Sequence, residues 1–138
     1  MTFFIKFSSL RPGNMLIKRQ SRPYIFHLLR VILNFKDEKE QFTSLLHDVM
    51  EDQGVTIKEL EALSIPKDEI DALVTLTHLT EENYDDYISR ILKNELARRI
   101  KEADLKDNMN LDRLPKITED DLERLQKYQR SLLRLKSR

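Results

Sequence analysis

Apolar residues recur at intervals of three and four along most of the chain, the spacing that gathers side chains on one face of an α-helix. The first clear case runs from Tyr24 to Phe35, and the second from about Glu38 to Val49. Five more helical stretches follow: one over 57–63, one from Pro66, one over 84–92, one over 96–109 and one after Thr118. No convincing strand pattern interrupts them. We therefore predict an all-α fold.

Capping signals mark several of the predicted helix ends. Gly54 follows the second helix and suits a left-handed C-terminal cap. Thr56, with Glu59 three residues later, forms a capping box that opens a short helix, and Thr118 caps the last one. On the helix begun by Pro66, the spacing directs Val74 inward together with its apolar neighbours. These signals predict where the helices turn.

The chain has 138 residues, enough for one domain with a sizeable core. We expect residues 1–22 to form an irregular or shortened N-terminal segment of that domain, since this part shows little period. Residues 23–138 form the helical domain proper. At the end of the N-terminal segment, a polar and basic stretch that includes Lys18 and Arg19 leads into Pro23, which suits the first turn of a helix.

Composition narrows the possible partners. Lys plus Arg number 24 and Asp plus Glu also 24, so the zero net charge gives no electrostatic case for nucleic acid or an anionic membrane. Cysteine is absent, which excludes a disulfide framework and a thiol nucleophile and fits a reducing compartment. No apolar run reaches the roughly 18 residues that span a bilayer, and we identify no signal peptide. We expect a cytoplasmic protein.

Two histidines, His27 and His47, lie on apolar helical faces. A lone histidine there is more often a core residue with a satisfied hydrogen bond. Asp48 changes that estimate, because a carboxylate at the buried edge of a helix is costly unless it is paired or binds a cation. Asp104 is in the same position on a later helix. Two imidazoles and two carboxylates from three helices make a nitrogen and oxygen shell that suits Mn²⁺, Fe²⁺ or Zn²⁺.

Three segments carry a resemblance to a known family. Residues 23–27 (PYIFH), 47–52 (HDVMED) and 103–108 (ADLKDN) resemble the HD superfamily of metal-dependent phosphohydrolases. Within it they resemble the alarmone hydrolase domain of RelA/SpoT-type proteins and its single-domain relatives. The resemblance covers about 18–108, and more weakly 111–128. It implies a compact helical HD-type phosphohydrolase fold.

The resemblance also implies a role for each matched residue. The metal, Mn²⁺ in the alarmone hydrolases, would be bound by His27, His47, Asp48 and Asp104. Glu51 and Asp52 match the acidic pair that positions or deprotonates the attacking water. Lys18, Arg19 and Asn108 match residues that contact the nucleotide. The implied reaction is hydrolysis of the 3′ phosphoester of guanosine 3′,5′-bispyrophosphate, which releases pyrophosphate and leaves GDP or GTP.

The chain departs from the family pattern at Asp107, where long bifunctional enzymes carry histidine or tyrosine. An added negative charge there would disfavour a highly anionic nucleotide unless Asp107 points away. Two alternatives therefore stay open beside the alarmone: another nucleotide or phosphomonoester as the substrate, or a catalytically weak relative that binds a nucleotide or a protein. No synthetase segment follows, so we expect no alarmone synthesis.

The other polar residues have simpler interpretations. His78 lies outside every matched segment and is expected at the surface or at a helix end. For Arg98 we expect a solvent-facing side chain, while Lys101 could face either solvent or a phosphate.

Overall fold

The computed structural model describes residues 24–137, except for the side chains of residues 24, 25, 49, 51–53 and 113. The described part is all-helical, which confirms the predicted fold class. Seven α-helices follow one another: α1 (Tyr24–Ile32), α2 (Glu38–Gln53), α3 (Ile57–Ala62), α4 (Lys67–Leu76), α5 (Tyr84–Ile91), α6 (Glu95–Asn108) and α7 (Glu119–Lys136). A short 3₁₀ turn, Leu111–Arg113, lies between α6 and α7. The predicted N-terminal segment, residues 1–22, lies outside the described residues.

The predicted capping signals are present at the helix ends. Gly54 has φ +64° and donates its N–H to the Met50 carbonyl oxygen, closing α2 in the left-handed conformation that glycine adopts without strain. Both capping boxes are also formed. Thr56 pairs with Glu59 at the start of α3, and Thr118 pairs with Asp121 at the start of α7. Local sequence therefore fixes where these helices begin and end.

Helix α6 occupies the centre of the packing. It contacts α1, α2, α4, α5 and α7, while α1 and α2 also pack against each other. The reason is visible in its apolar face, where Ala97, Ile100 and Leu105 are almost completely buried. Small residues on this face let neighbouring helices approach closely. Two of its polar residues, Asp104 and Asp107, consequently face α1, whereas Glu95, Arg99 and Lys106 remain exposed.

Two hydrophobic clusters fill the interior of the part of the chain that the structure describes. The larger one surrounds α6 and includes residues from α1, α4, α5 and α7, such as Val31, Leu76 and Leu135. The smaller one lies between α2, α3 and α4, with Leu60 and Leu73 at its centre. Together they hold the helices that carry the candidate site.

The inward direction predicted for Val74 is wrong, since 44% of its surface is exposed. Ala72 points inward on α4 instead and is fully buried. Helical spacing alone admits either assignment. The neighbouring helices α2 and α6 decide which stripe of α4 they cover.

The solvent-facing position predicted for Arg98 is also wrong. Its side chain is buried, and its guanidinium donates to Glu95, Glu102 and the Leu135 carbonyl oxygen. The two carboxylates offset the cost of burying this charge, and the carbonyl ties α6 to the end of α7. Arg98 thus stabilises the contact between α6 and α7 although it is charged and lies on an apolar helix face.

None of the described helices combines the length and the apolar character that crossing a bilayer requires.

Candidate metal site between α1, α2 and α6

The ring of His27 lies between two carboxylates. His27 is on α1 with 3% of its surface exposed, and both carboxylates come from α6. Its Nε2 is 3.2 Å from Asp104 Oδ1, and its Nδ1 is 2.5 Å from Asp107 Oδ2. Burial by itself would lower the pKa of His27, but these two carboxylates, with the charge of Asp48, raise it to about 9. At neutral pH the ring therefore carries a proton on both nitrogens.

His47 and Asp48 approach the same region from α2. Both are buried, with 4% and 6% of their surfaces exposed, and His47 Nδ1 lies 3.9 Å from Asp48 Oδ1. Each interacts electrostatically with the α1–α6 pair: the charge of Asp48 acts on His27, and that of His47 acts on Asp104. The four predicted ligands thus lie on three helices that pack against one another, and His27 and Asp104 are in direct contact.

Asp104 accepts hydrogen bonds from three side chains. Besides facing His27, it accepts from Lys101 Nζ at 3.1 Å and from Asn108 Nδ2 at 3.3 Å. Burial would raise the pKa of Asp104, but Lys101, His27 and His47 together hold it well below its usual range. The carboxylate is therefore ionised and fixed in orientation, as a metal ligand must be.

Lys101 belongs to the interior of this site and not to a solvent-facing surface. Only 11% of its side chain is exposed, and its ammonium lies 5.3 Å from the centroid of the Tyr87 ring. The aromatic face and the Asp104 carboxylate both stabilise the buried charge. Lys101 consequently donates a hydrogen bond to Asp104 and lowers the pKa of that carboxylate.

The remaining predicted site residues are described only in part. Glu51 and Asp52 lie on the last turn of α2, one turn beyond His47 and Asp48, but their side chains lie outside the described part. Lys18 and Arg19 also lie outside it. Asn108 is within it and contacts Asp104, as the four-residue spacing on one helix indicates.

The chemistry of the donor set suits a divalent metal ion. In the described part of the chain, no three His, Asp or Glu side chains already have their donor atoms gathered as a ready metal cluster. His27 and Asp104 supply an imidazole nitrogen and a carboxylate oxygen 3.2 Å apart, joined at present by a hydrogen bond, and both are donor types that such an ion binds. A proton competes for the same His27 nitrogen, because metal binding requires the neutral ring.

Two residues next to His27 were not assigned to the site from the sequence. Arg30 follows His27 by three residues, and Asp107 follows Asp104 by three. Arg30 donates to both oxygens of Asp107, from Nε at 2.7 Å and from Nη2 at 3.2 Å. This three-residue spacing puts Arg30 on the same helix face as His27, and Asp107 on the same face as Asp104. It was the signal in the sequence that could have assigned both residues to the site. What the sequence could not show is that these two faces meet.

His78 is exposed, as predicted, and one of its ring nitrogens lies 2.8 Å from the Glu82 carbonyl oxygen. It takes no part in the site. No model of a known protein family matches this sequence, and no curated protein matches it.

Proposed function

We propose that this chain is a metal-dependent phosphohydrolase of the HD type. The observation that carries the proposal is the pairing of His27 with Asp104 where α1 and α6 pack against α2, the helix that carries the buried His47 and Asp48. Burying four ionisable side chains together is costly unless they bind each other or a cation. A catalytic centre is the usual place where such a cost is retained.

Those four residues would hold the metal ion, with Mn²⁺ as our first choice. When bound, the ion supplies Lewis-acid activation of water near neutral pH and positive charge for phosphoryl oxygens. Asp104 enters such a site already ionised and oriented by Lys101 and Asn108. The role of the protein is to keep these ligands in place.

Glu51 and Asp52 are the proposed groups that orient the attacking water and accept its proton. Their support is their position in the helix, since residues four apart lie on the same face of α2. They therefore follow His47 and Asp48 along the helix by one turn. A carboxylate within hydrogen-bond reach of the water is what general-base catalysis requires.

For the substrate we propose guanosine 3′,5′-bispyrophosphate, cleaved at its 3′ phosphoester to release pyrophosphate. Asn108, with Lys18 and Arg19, would contact the nucleotide. The structure bears on one objection to this anionic substrate, the extra charge of Asp107. That carboxylate is turned into the protein, with 9% of its side chain exposed, and is paired with Arg30. Its charge is thus balanced locally.

The test is a substrate panel. The full chain is stripped with chelator, reloaded with Mn²⁺, and incubated with guanosine 3′,5′-bispyrophosphate, GTP and a simple phosphomonoester, while pyrophosphate and phosphate release are followed. We expect pyrophosphate from the first compound only. Asp48→Asn should abolish the release, whereas Asp120→Asn, at an exposed position on α7, should leave it unchanged.

Turnover of another compound in the panel would support the proposed hydrolase activity but overturn the proposed substrate. Nucleotide binding without turnover of any compound would overturn the enzyme and favour a nucleotide-binding relative of these hydrolases.

A further inference from the structure

Asp107 connects three side chains at the junction of α1 and α6. Its Oδ2 lies 2.5 Å from His27 Nδ1, and its two oxygens accept from Arg30 Nε and Nη2 at 2.7 and 3.2 Å. Two parallel bonds from a planar guanidinium fix the plane of a carboxylate as well as its position. Asp107 is therefore held from one side by Arg30 and presents its other side to the imidazole.

The two ring nitrogens of His27 have different neighbours. Nδ1 meets Asp107, whereas Nε2 points toward Asp104, the candidate ligand. Both carboxylates accept hydrogen bonds, but the Asp107 contact at 2.5 Å is shorter than the Asp104 contact at 3.2 Å, so Asp107 keeps the proton on Nδ1. In the neutral ring the lone pair is then on Nε2. That nitrogen lies 3.2 Å from Oδ1 of Asp104, another candidate ligand.

We propose that Asp107 is the positioning residue of the metal site: it sets the tautomer and the orientation of His27, and Arg30 holds it in place. The inference rests on the proposed metal site and adds to it an outer carboxylate and a cation. Metal-bound histidines commonly donate their second N–H to such a carboxylate, which fixes the ring and raises its basicity. Asp107 thus supports the metal ligand without contacting the substrate.

The same contacts also have a purely structural interpretation. The hydrogen-bonded chain of Arg30, Asp107 and His27 also joins α1 to α6, and its loss would destabilise the fold whether or not a metal binds. The two readings differ in what they change. A structural joint alters the free energy of unfolding, whereas a positioning residue alters metal affinity in protein that is still folded.

The experiment compares Asp107→Ala and Asp107→Asn with the wild type. Mn²⁺ affinity is measured by titration calorimetry at pH 8, and urea unfolding in chelator establishes that each variant is folded. We expect Asp107→Ala to weaken Mn²⁺ binding about 10- to 100-fold. Asp107→Asn keeps an acceptor oxygen for Nδ1 and should lose less. Asp120→Asn serves as the matched control and should bind as the wild type does.

A second readout follows the tautomer itself. In Zn²⁺-loaded protein, the side-chain nitrogen spectrum should show His27 with its proton on Nδ1, and Asp107→Ala should lose that protected proton. If Asp107→Ala does not fold, Arg30→Gln leaves His27 and Asp107 in place. It should weaken Mn²⁺ binding in the same direction but by less than the loss of the carboxylate.

The outcomes separate this inference from the proposed function. Unchanged Mn²⁺ affinity in folded Asp107 and Arg30 variants would overturn the positioning role alone. A wild type that binds neither Mn²⁺ nor Zn²⁺ would overturn both. If metal binding depends on Asp107 but no substrate is hydrolysed, the positioning role of Asp107 would stand and the proposed phosphohydrolase activity would be overturned.

Discussion

The charge on His27 should make the stability of the metal-free protein depend on pH. Burial alone would lower the pKa of this imidazole, but Asp104 and Asp107 raise it to about 9, against 6.5 in an unfolded chain. The folded state therefore binds this proton more tightly than the unfolded state does. The resulting stabilisation is fully present below pH 6.5 and is lost as the pH rises through about 9.

The size of the effect follows from the shift. Each pKa unit corresponds to about 1.4 kcal/mol, so the proton on His27 contributes about 3 kcal/mol at pH 6. Between pH 6.5 and 9 the free energy of unfolding should fall by about 1.4 kcal/mol per pH unit. This is a large part of the 5–15 kcal/mol that is typical of single domains.

The assay is urea unfolding followed by circular dichroism at pH 6, 7, 8 and 9 in chelator. His27→Gln removes the titrating group and should flatten most of the dependence over this range. His78→Gln, at an exposed histidine outside the site, should keep the wild-type slope. A wild type whose stability is constant from pH 6 to 9, or a His27→Gln variant with an unchanged slope, would refute the assigned proton.

Four further outcomes are expected. Mn²⁺ affinity of the wild type, measured by calorimetry, should rise up to about tenfold per pH unit between 7 and 9, because His27 must lose its proton to bind metal; a flat profile would contradict this. Leu73→Ala opens a cavity at a fully buried position and should cost about 2–5 kcal/mol in urea unfolding. Gly54→Ala meets no atom within 4 Å but forces φ +64° on alanine, so it should cost about 1 kcal/mol. Thr118→Ala removes the N-terminal cap of α7 and should lower the free energy of unfolding by about 1 kcal/mol. For the last two, a variant as stable as the wild type would show that the end of the helix does not depend on its cap.

Local signals predicted the helices well. The caps at Gly54, Thr56 and Thr118 act through hydrogen bonds to backbone groups three or four residues away, so they can be recognised in the sequence. Val74 and Arg98 were misassigned because their surroundings depend on distant helices. The carbonyl oxygen of Leu135, which accepts from Arg98, is 37 residues away in the chain.

The site shows the same division. His27, His47, Asp48 and Asp104 could be selected because each is a polar residue on an apolar face, and the structure pairs His27 with Asp104. Asp107 could not be interpreted, since its direction depends on where Arg30 of α1 lies relative to α6. Pairing between side chains 77 residues apart requires the packed fold.

The central position of α6 has a consequence for how this chain can change. Substitutions act on α6 one side chain at a time, but inserting or deleting one residue would rotate everything beyond it by about 100°. An insertion before Lys101 would turn Ala103 and Leu105 out of the core and Asp104 and Asp107 away from His27 together. Length variation should therefore be confined to the connections, such as the one between α4 and α5, while α6 keeps its length.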